Sequence, residues 1–274
     1  MTRFRPLPNP STFRKMAAAM WRPPNDPTIY GTVDVEATAM LAFLERHRAE
    51  HPEARATVAH LVTAALARAL AHHPELNAKV RLWGRLELRD EVVVSLQVAS
   101  DDGRDLGIVR LEGADKLSLE AISERVREQA ALVRREDERY ELAKTRSLLK
   151  QMPWWLMRPV LAVTDVLTNE LHIHVPSQGL LRDTFGSAMV TNVGVFGVDT
   201  AFAPFTPIAR CPIIVLVTEV KQRPWVVEDR VEPRPVLRLC ATFDHRIIDG
   251  AHAGHLGAEV RAILESAPES LAQP

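Results

Sequence analysis

From Leu237 to Phe243, apolar residues alternate with Arg238, Cys240 and Thr242, the period of a half-buried strand. The run ends at Asp244-His245-Arg246-Ile247-Ile248-Asp249-Gly250. His245 shares the parity of the apolar face, so the pattern predicts an imidazole pointing inward where the strand ends. A histidine there, followed by Ile-Ile-Asp-Gly and a helix over Gly254 to Leu264, suggests a base held in a channel.

Other segments supply a sheet for this strand and helices to cover it. Tyr30 to Val35, Val92 to Ser100, Ile108 to Leu111, Met189 to Thr191, Ile213 to Val220 and Val236 to Phe243 read as strands. Helices are expected over Arg14 to Met20, about Ala37 to His51, and Ser118 to about Glu138. A further helix is capped by Thr57, with Val58, Leu61, Val62, Ala65, Leu66, Ala69 and Leu70 as its stripe. Strands and helices mix without a strict alternation, which favours one mixed sheet with helices packed on it. No internal repeat or strong linker divides residues 1–274, so a single domain is expected.

Composition narrows the function classes. With 34 basic and 35 acidic side chains, no strong field favours nucleic acid or an anionic membrane. Neither is expected as a partner. The only cysteines, Cys211 and Cys240, lack metal-ligand spacing and read as buried packing residues. His172 with His174, and His252 with His255, have no carboxylate or cysteine at metal spacing, so no metal is expected. Without a signal-peptide core or an apolar membrane span, a cytoplasmic location is the expectation.

The segment Asp244-His245-Arg246-Ile247-Ile248-Asp249-Gly250 resembles the active-site signature of the dihydrolipoyl acyltransferases, the core subunits of the 2-oxoacid dehydrogenase complexes. The resemblance extends through Arg14-Lys15-Met16-Ala17-Ala18-Ala19-Met20, His73-Pro74-Glu75-Leu76-Asn77-Ala78 and Ala114 to Ile122. It continues in Thr191-Asn192-Val193-Gly194-Val195-Phe196-Gly197 and Phe205-Thr206-Pro207-Ile208, in family order. It implies an α/β fold of the chloramphenicol acetyltransferase-like type, a two-layer mixed sheet with packed helices. It also implies a homotrimer whose active sites lie between subunits. Two departures stand out. The family's lipoyl and subunit-binding domains have no counterpart here, so a stand-alone catalytic domain is expected. An insertion runs over about 137–182, including Trp154 and Trp155.

The activity implied is coenzyme A-dependent acyl transfer, with acyl-coenzyme A as substrate and a lipoyl group supplied, if at all, by a separate lipoyl-domain protein. An unperturbed thiol has a pKa of about 8.5 and attacks as its thiolate, so transfer between thiols needs a base. Imidazole, with a pKa of about 6.5, suits that task at neutral pH. His245 would be the base and Thr191 of a neighbouring subunit the hydroxyl donor to the oxyanion. Asp249 would form a buried ion pair with Arg14, or else with Arg22, shaping the strand end. Gly250 would permit a tight backbone turn. A non-catalytic assembly subunit that keeps the fold is the alternative. The Trp154-Trp155 insertion reads as an accessory helix, as a lid or wall of the substrate channel, or as a docking surface for a partner or a membrane.

Overall fold

The central pair of strands is longer than the sequence pattern predicts. In the computed structural model, β7 covers Ile213–Val227 and β8 covers Arg230–Asp244. Their outer halves contain Pro224, Pro233 and Pro235, which mask a strand in the sequence because proline cannot donate to a ladder. The two strands are joined at Glu228 and Asp229, whose φ values of 46° and 61° are those of a tight hairpin twisted to match its strands. A register shift between Val217 and Val220 separates this ribbon from the sheet proper. The structure describes residues 26–99, 106–135, 137, 140, 142–178, 180–206, 208–266 and 268–273. The expected helix over Arg14 to Met20 lies outside these residues.

The remaining strands of the main sheet are β1 (Thr28–Glu36), β4 (Val94–Ala99), β5 (Leu106–Leu111) and β6 (Ala188–Asn192). They assemble in the order β1-β8-β7-β6-β4-β5. Pairing is parallel for β4 with β6 and for β6 with β7, and antiparallel for the others, so the sheet is mixed as expected. A small hairpin of β2 (Ala78–Val80) and β3 (Leu86–Leu88) stands apart. These strands are too short for alternation to reveal.

Helices α1 (Thr38–Glu50), α2 (Val58–His72), α3 (Leu119–Arg134) and α6 (Gly250–Ser266) cover one face. Thr57 caps α2 by accepting the His60 amide at 3.3 Å, and Ser118 caps α3 by accepting that of Ala121 at 3.2 Å. Each such cap contributes about 1 kcal/mol. The α2 helix is buried nearly all round, not along one stripe, because it lies between the sheet, α3 and α6. Leu237, Leu239 and Phe243 of β8 face this helical layer. The opposite face of β8 is covered too: Cys240 packs with Met189, Ile214 and Leu216 beneath the chain around Phe185 and Ala201 to Phe205. The alternation therefore marks a change of neighbour, from helices to connecting chain, more than a change from core to water. Two further helices, α4 (Ala143–Gln151) and α5 (Trp154–Asp165), lie inside the expected insertion.

Candidate active site

At the end of β8 the ladder stops because the chain folds back on itself. The Ile247 and Ile248 amides donate to the Asp244 carbonyl at 3.0 and 2.9 Å. The buried Asp244 carboxylate accepts the backbone amide of Arg246 at 3.0 Å and its guanidinium at 2.9 and 2.7 Å. The two residues flanking the histidine thus clamp the turn. Asp244 in turn holds the Arg246 guanidinium above its ordinary pKa.

This turn corrects the inward orientation expected for His245. Strand parity ends at Asp244, and the His245 side chain is exposed in the single chain. Its backbone amide donates to the Pro27 carbonyl at 2.8 Å, anchoring the turn to the start of β1. Its Nδ1 lies 3.0 Å from the Ile248 carbonyl oxygen. A carbonyl only accepts, so Nδ1 carries the proton and the neutral ring keeps its lone pair on Nε2. The turn itself therefore selects a tautomer with Nε2 ready to take a proton. The spacing that produces this contact, three residues from His245 to Ile248, was present in the sequence but has no side-chain signature.

Asp249 sits where α6 begins. Its Oδ1 accepts the His252 amide at 2.9 Å, while His252 Nδ1 approaches the Asp249 amide at 3.4 Å, a reciprocal arrangement of the capping-box kind. The His252 amide is the main cause holding the Asp249 carboxyl below its usual range, with the nearby His252 and His245 rings adding to it. The side chain is 56% exposed, and among the described residues it caps the helix. Arg14 and Arg22 lie outside the described residues. Gly250 has no positive φ, and a Cβ there would meet nothing within 4 Å, so the turn does not require glycine. Gly250 instead borders a mostly apolar cavity of about 490 Å³ between β1, β8 and α6.

Thr191, half-buried, occupies β6 just before a turn that needs glycine for close approach. A Cβ on Gly194 would lie 2.5 Å from the Thr218 carbonyl oxygen. Asn192 Oδ1 accepts the Gly194 amide at 3.0 Å and completes the turn. The ladder places Thr191 opposite Leu216, and Leu216 opposite Cys240, five residues before His245. At about 3.3 Å per residue and about 4.8 Å per strand, Thr191 and His245 of one chain are roughly 15–20 Å apart. A single chain does not bring them together.

The remaining candidates are accounted for by packing. Cys211 is buried and its thiol is pushed up to about 12, chiefly by burial, so it is no nucleophile at neutral pH. Burial likewise raises the Cys240 thiol. His172 Nε2 pairs with Glu87 at 3.0 Å and His174 Nδ1 accepts the Arg182 amide at 3.1 Å. They border a second cavity, of about 500 Å³, lined with charged side chains including Lys79, Arg89 and Asp183.

The family model of the 2-oxoacid dehydrogenases acyltransferase catalytic domain matches residues 4–142 and 182–272, and the chain belongs to that family. A dihydrolipoyllysine-residue succinyltransferase component of Bacillus subtilis is 28% identical over 245 residues, 87% of this chain and 47% of that protein. The acetyltransferase component of the Zymomonas mobilis pyruvate dehydrogenase complex is 31% identical over 88 residues, 32% of this chain and 20% of the relative. The chain thus spans about half, or less, of the length of these relatives. Among solved structures, a probable dihydrolipoamide acetyltransferase of Listeria monocytogenes superposes with a TM-score of 0.65 at 19% identity, covering 97% of this chain and 95% of its own. The Azotobacter vinelandii dihydrolipoamide acetyltransferase gives the same TM-score and identity, with 96% and 98% covered. The fold is that of these acyltransferase catalytic domains.

Proposed function

We propose that the protein transfers an acyl group between coenzyme A and a thiol of the dihydrolipoamide type, with His245 as general base. The carrying observation is the Nδ1 contact to the Ile248 carbonyl, which leaves Nε2 as the proton acceptor. Nε2 removes the proton of the incoming thiol, and the thiolate adds to the thioester carbonyl carbon. A tetrahedral oxyanion forms and collapses by expelling the other sulfur, which takes the proton back from the imidazolium. No acyl-enzyme is needed, in keeping with the burial that pushes the Cys211 thiol up to about 12.

The Thr191 hydroxyl donates to the oxyanion in this reading, and it comes from a neighbouring subunit. The register separation within one chain supports that division. A homotrimer is the proposed unit, with a lipoyl domain on another chain as one acyl carrier. Arg14 is proposed to pair with Asp249 once the site is assembled. Incubation with acetyl-coenzyme A and free dihydrolipoamide tests the reaction. His245→Ala is expected to lower the rate roughly hundred- to ten-thousand-fold, the usual contribution of a positioned base. Equal rates for the two proteins would sink this thiol-transfer reading.

A further inference from the structure

Residues 143–181 fall between the two stretches matched by the family model, and they carry an unusual charge pattern. From 142 to 164 the sequence contains Lys144, Arg146, Lys150 and Arg158 but no aspartate or glutamate, although acids and bases balance over the whole chain. The same segment contains Trp154 and Trp155. Composition averaged over the chain conceals this local excess.

A helix lying on a protein usually turns its polar arc to water. The α5 helix is apolar on both sides: Leu156, Met157, Val160 and Leu161 are half-buried on its inner arc. None of its residues is buried, and its outward arc holds Trp154, Trp155, Pro159, Ala162 and Val163, with Arg158 the one charge among them. Trp154 is 84% exposed and Trp155 64%. The far end of the segment is firmly fastened: Arg210 binds Asp165 at 2.7 Å and also binds Glu170, while Arg81 reaches Glu170 at 3.1 Å. Beside it, the Leu82 amide at the β2–β3 tip donates to Glu170 at 2.9 Å. That tip, Leu82-Trp83-Gly84-Arg85, has a fully exposed tryptophan, one cation and no acid.

We propose that α5, with the β2–β3 tip beside it, docks on the surface of an anionic lipid bilayer. Tryptophans settle at headgroup depth, aliphatic neighbours enter the acyl boundary, and cations meet lipid phosphates. The helix lies on the bilayer and does not cross it: its 12 residues span about 18 Å against a hydrocarbon core of about 30 Å. The cation on this arc is Arg158, and Arg85 adds a second at the β2–β3 tip, with no acid on either exposed surface. The proposal departs from the expectation, drawn from overall charge, that no membrane is a partner. This inference does not depend on the acyl-transfer reading.

Co-sedimentation of the full chain tests it, using phosphatidylcholine vesicles with and without about one-third phosphatidylglycerol. The bound fraction is expected to be about tenfold higher on the anionic vesicles and to fall in about 0.5 M salt. The double variant Trp154→Ser/Trp155→Ser, and separately Val163→Asp on the same arc, should reduce binding to the neutral-vesicle level with circular dichroism and oligomer size unchanged. Wild-type binding that is absent or equal on both vesicles overturns the proposal. So does undiminished binding by both variants. A change in oligomer size without lipid overturns it in favour of a contact between copies.

Discussion

At the scale of single residues, the site depends on a proton's location. The His245 tautomer is set by the Ile248 carbonyl within the same turn, so the proposed base needs no carboxylate partner to orient its proton. A second histidine illustrates the opposite use. His60 is buried, its Nδ1 lies 3.0 Å from the Ser123 hydroxyl, and burial together with the Arg48 charge pushes its pKa down to about 4. The folded protein keeps this ring neutral, while the unfolded chain binds a proton below about 6.5. His60 therefore contributes stability that is complete above pH of about 6.5 and is lost progressively towards pH 4, on the order of 3 kcal/mol in all. Denaturant titrations should show His60→Leu losing less stability than wild type across that window; equal slopes would contradict the assignment. His245 was legible in the sequence through its motif. Its exposure was not, because alternation has no meaning once the backbone leaves the strand at Asp244. Asp249 was legible as structural, but its local role as a helix cap was hidden behind the motif.

At the scale of elements, turns decide what the strands present. The β6 strand ends in a turn where Gly194 lies against the Thr218 backbone, so Gly194→Ala forces two main chains apart. Such overpacking costs about 1–3 kcal/mol. It should lower the melting temperature and, by moving Thr191, lower the acyl-transfer rate as well; an unchanged melting temperature would show that the turn yields easily. The cap at Thr57 and the strands of the sheet were legible from side-chain type and period. The outer ribbon of β7 and β8 was not, because its prolines suppress the strand signal while the facing pair Pro224 and Pro233 tolerates them. The insertion was legible as a departure from the family, with an accessory helix among its readings. Only the structure shows which part of the apolar surface of α5 faces outward, since an apolar helix reads the same in sequence whether it is covered or not.

At the scale of the whole molecule, sheet order sets the question that assembly must answer. With β7 between β6 and β8, the ladder holds Thr191 and His245 far apart within a chain. A site that uses both must draw them from different subunits. The resemblance implies such an arrangement, and the register within one chain is a physical reason to propose it. Mixing His245→Ala chains with Thr191→Ala chains under conditions of proven subunit exchange tests the claim directly. In a cyclic trimer formed from equal amounts, about one quarter of the sites pair an intact histidine with an intact threonine. The account predicts recovery of about one quarter of wild-type acetyl transfer from two inactive parents. Exchanged mixtures no more active than the parents would contradict a site shared between subunits.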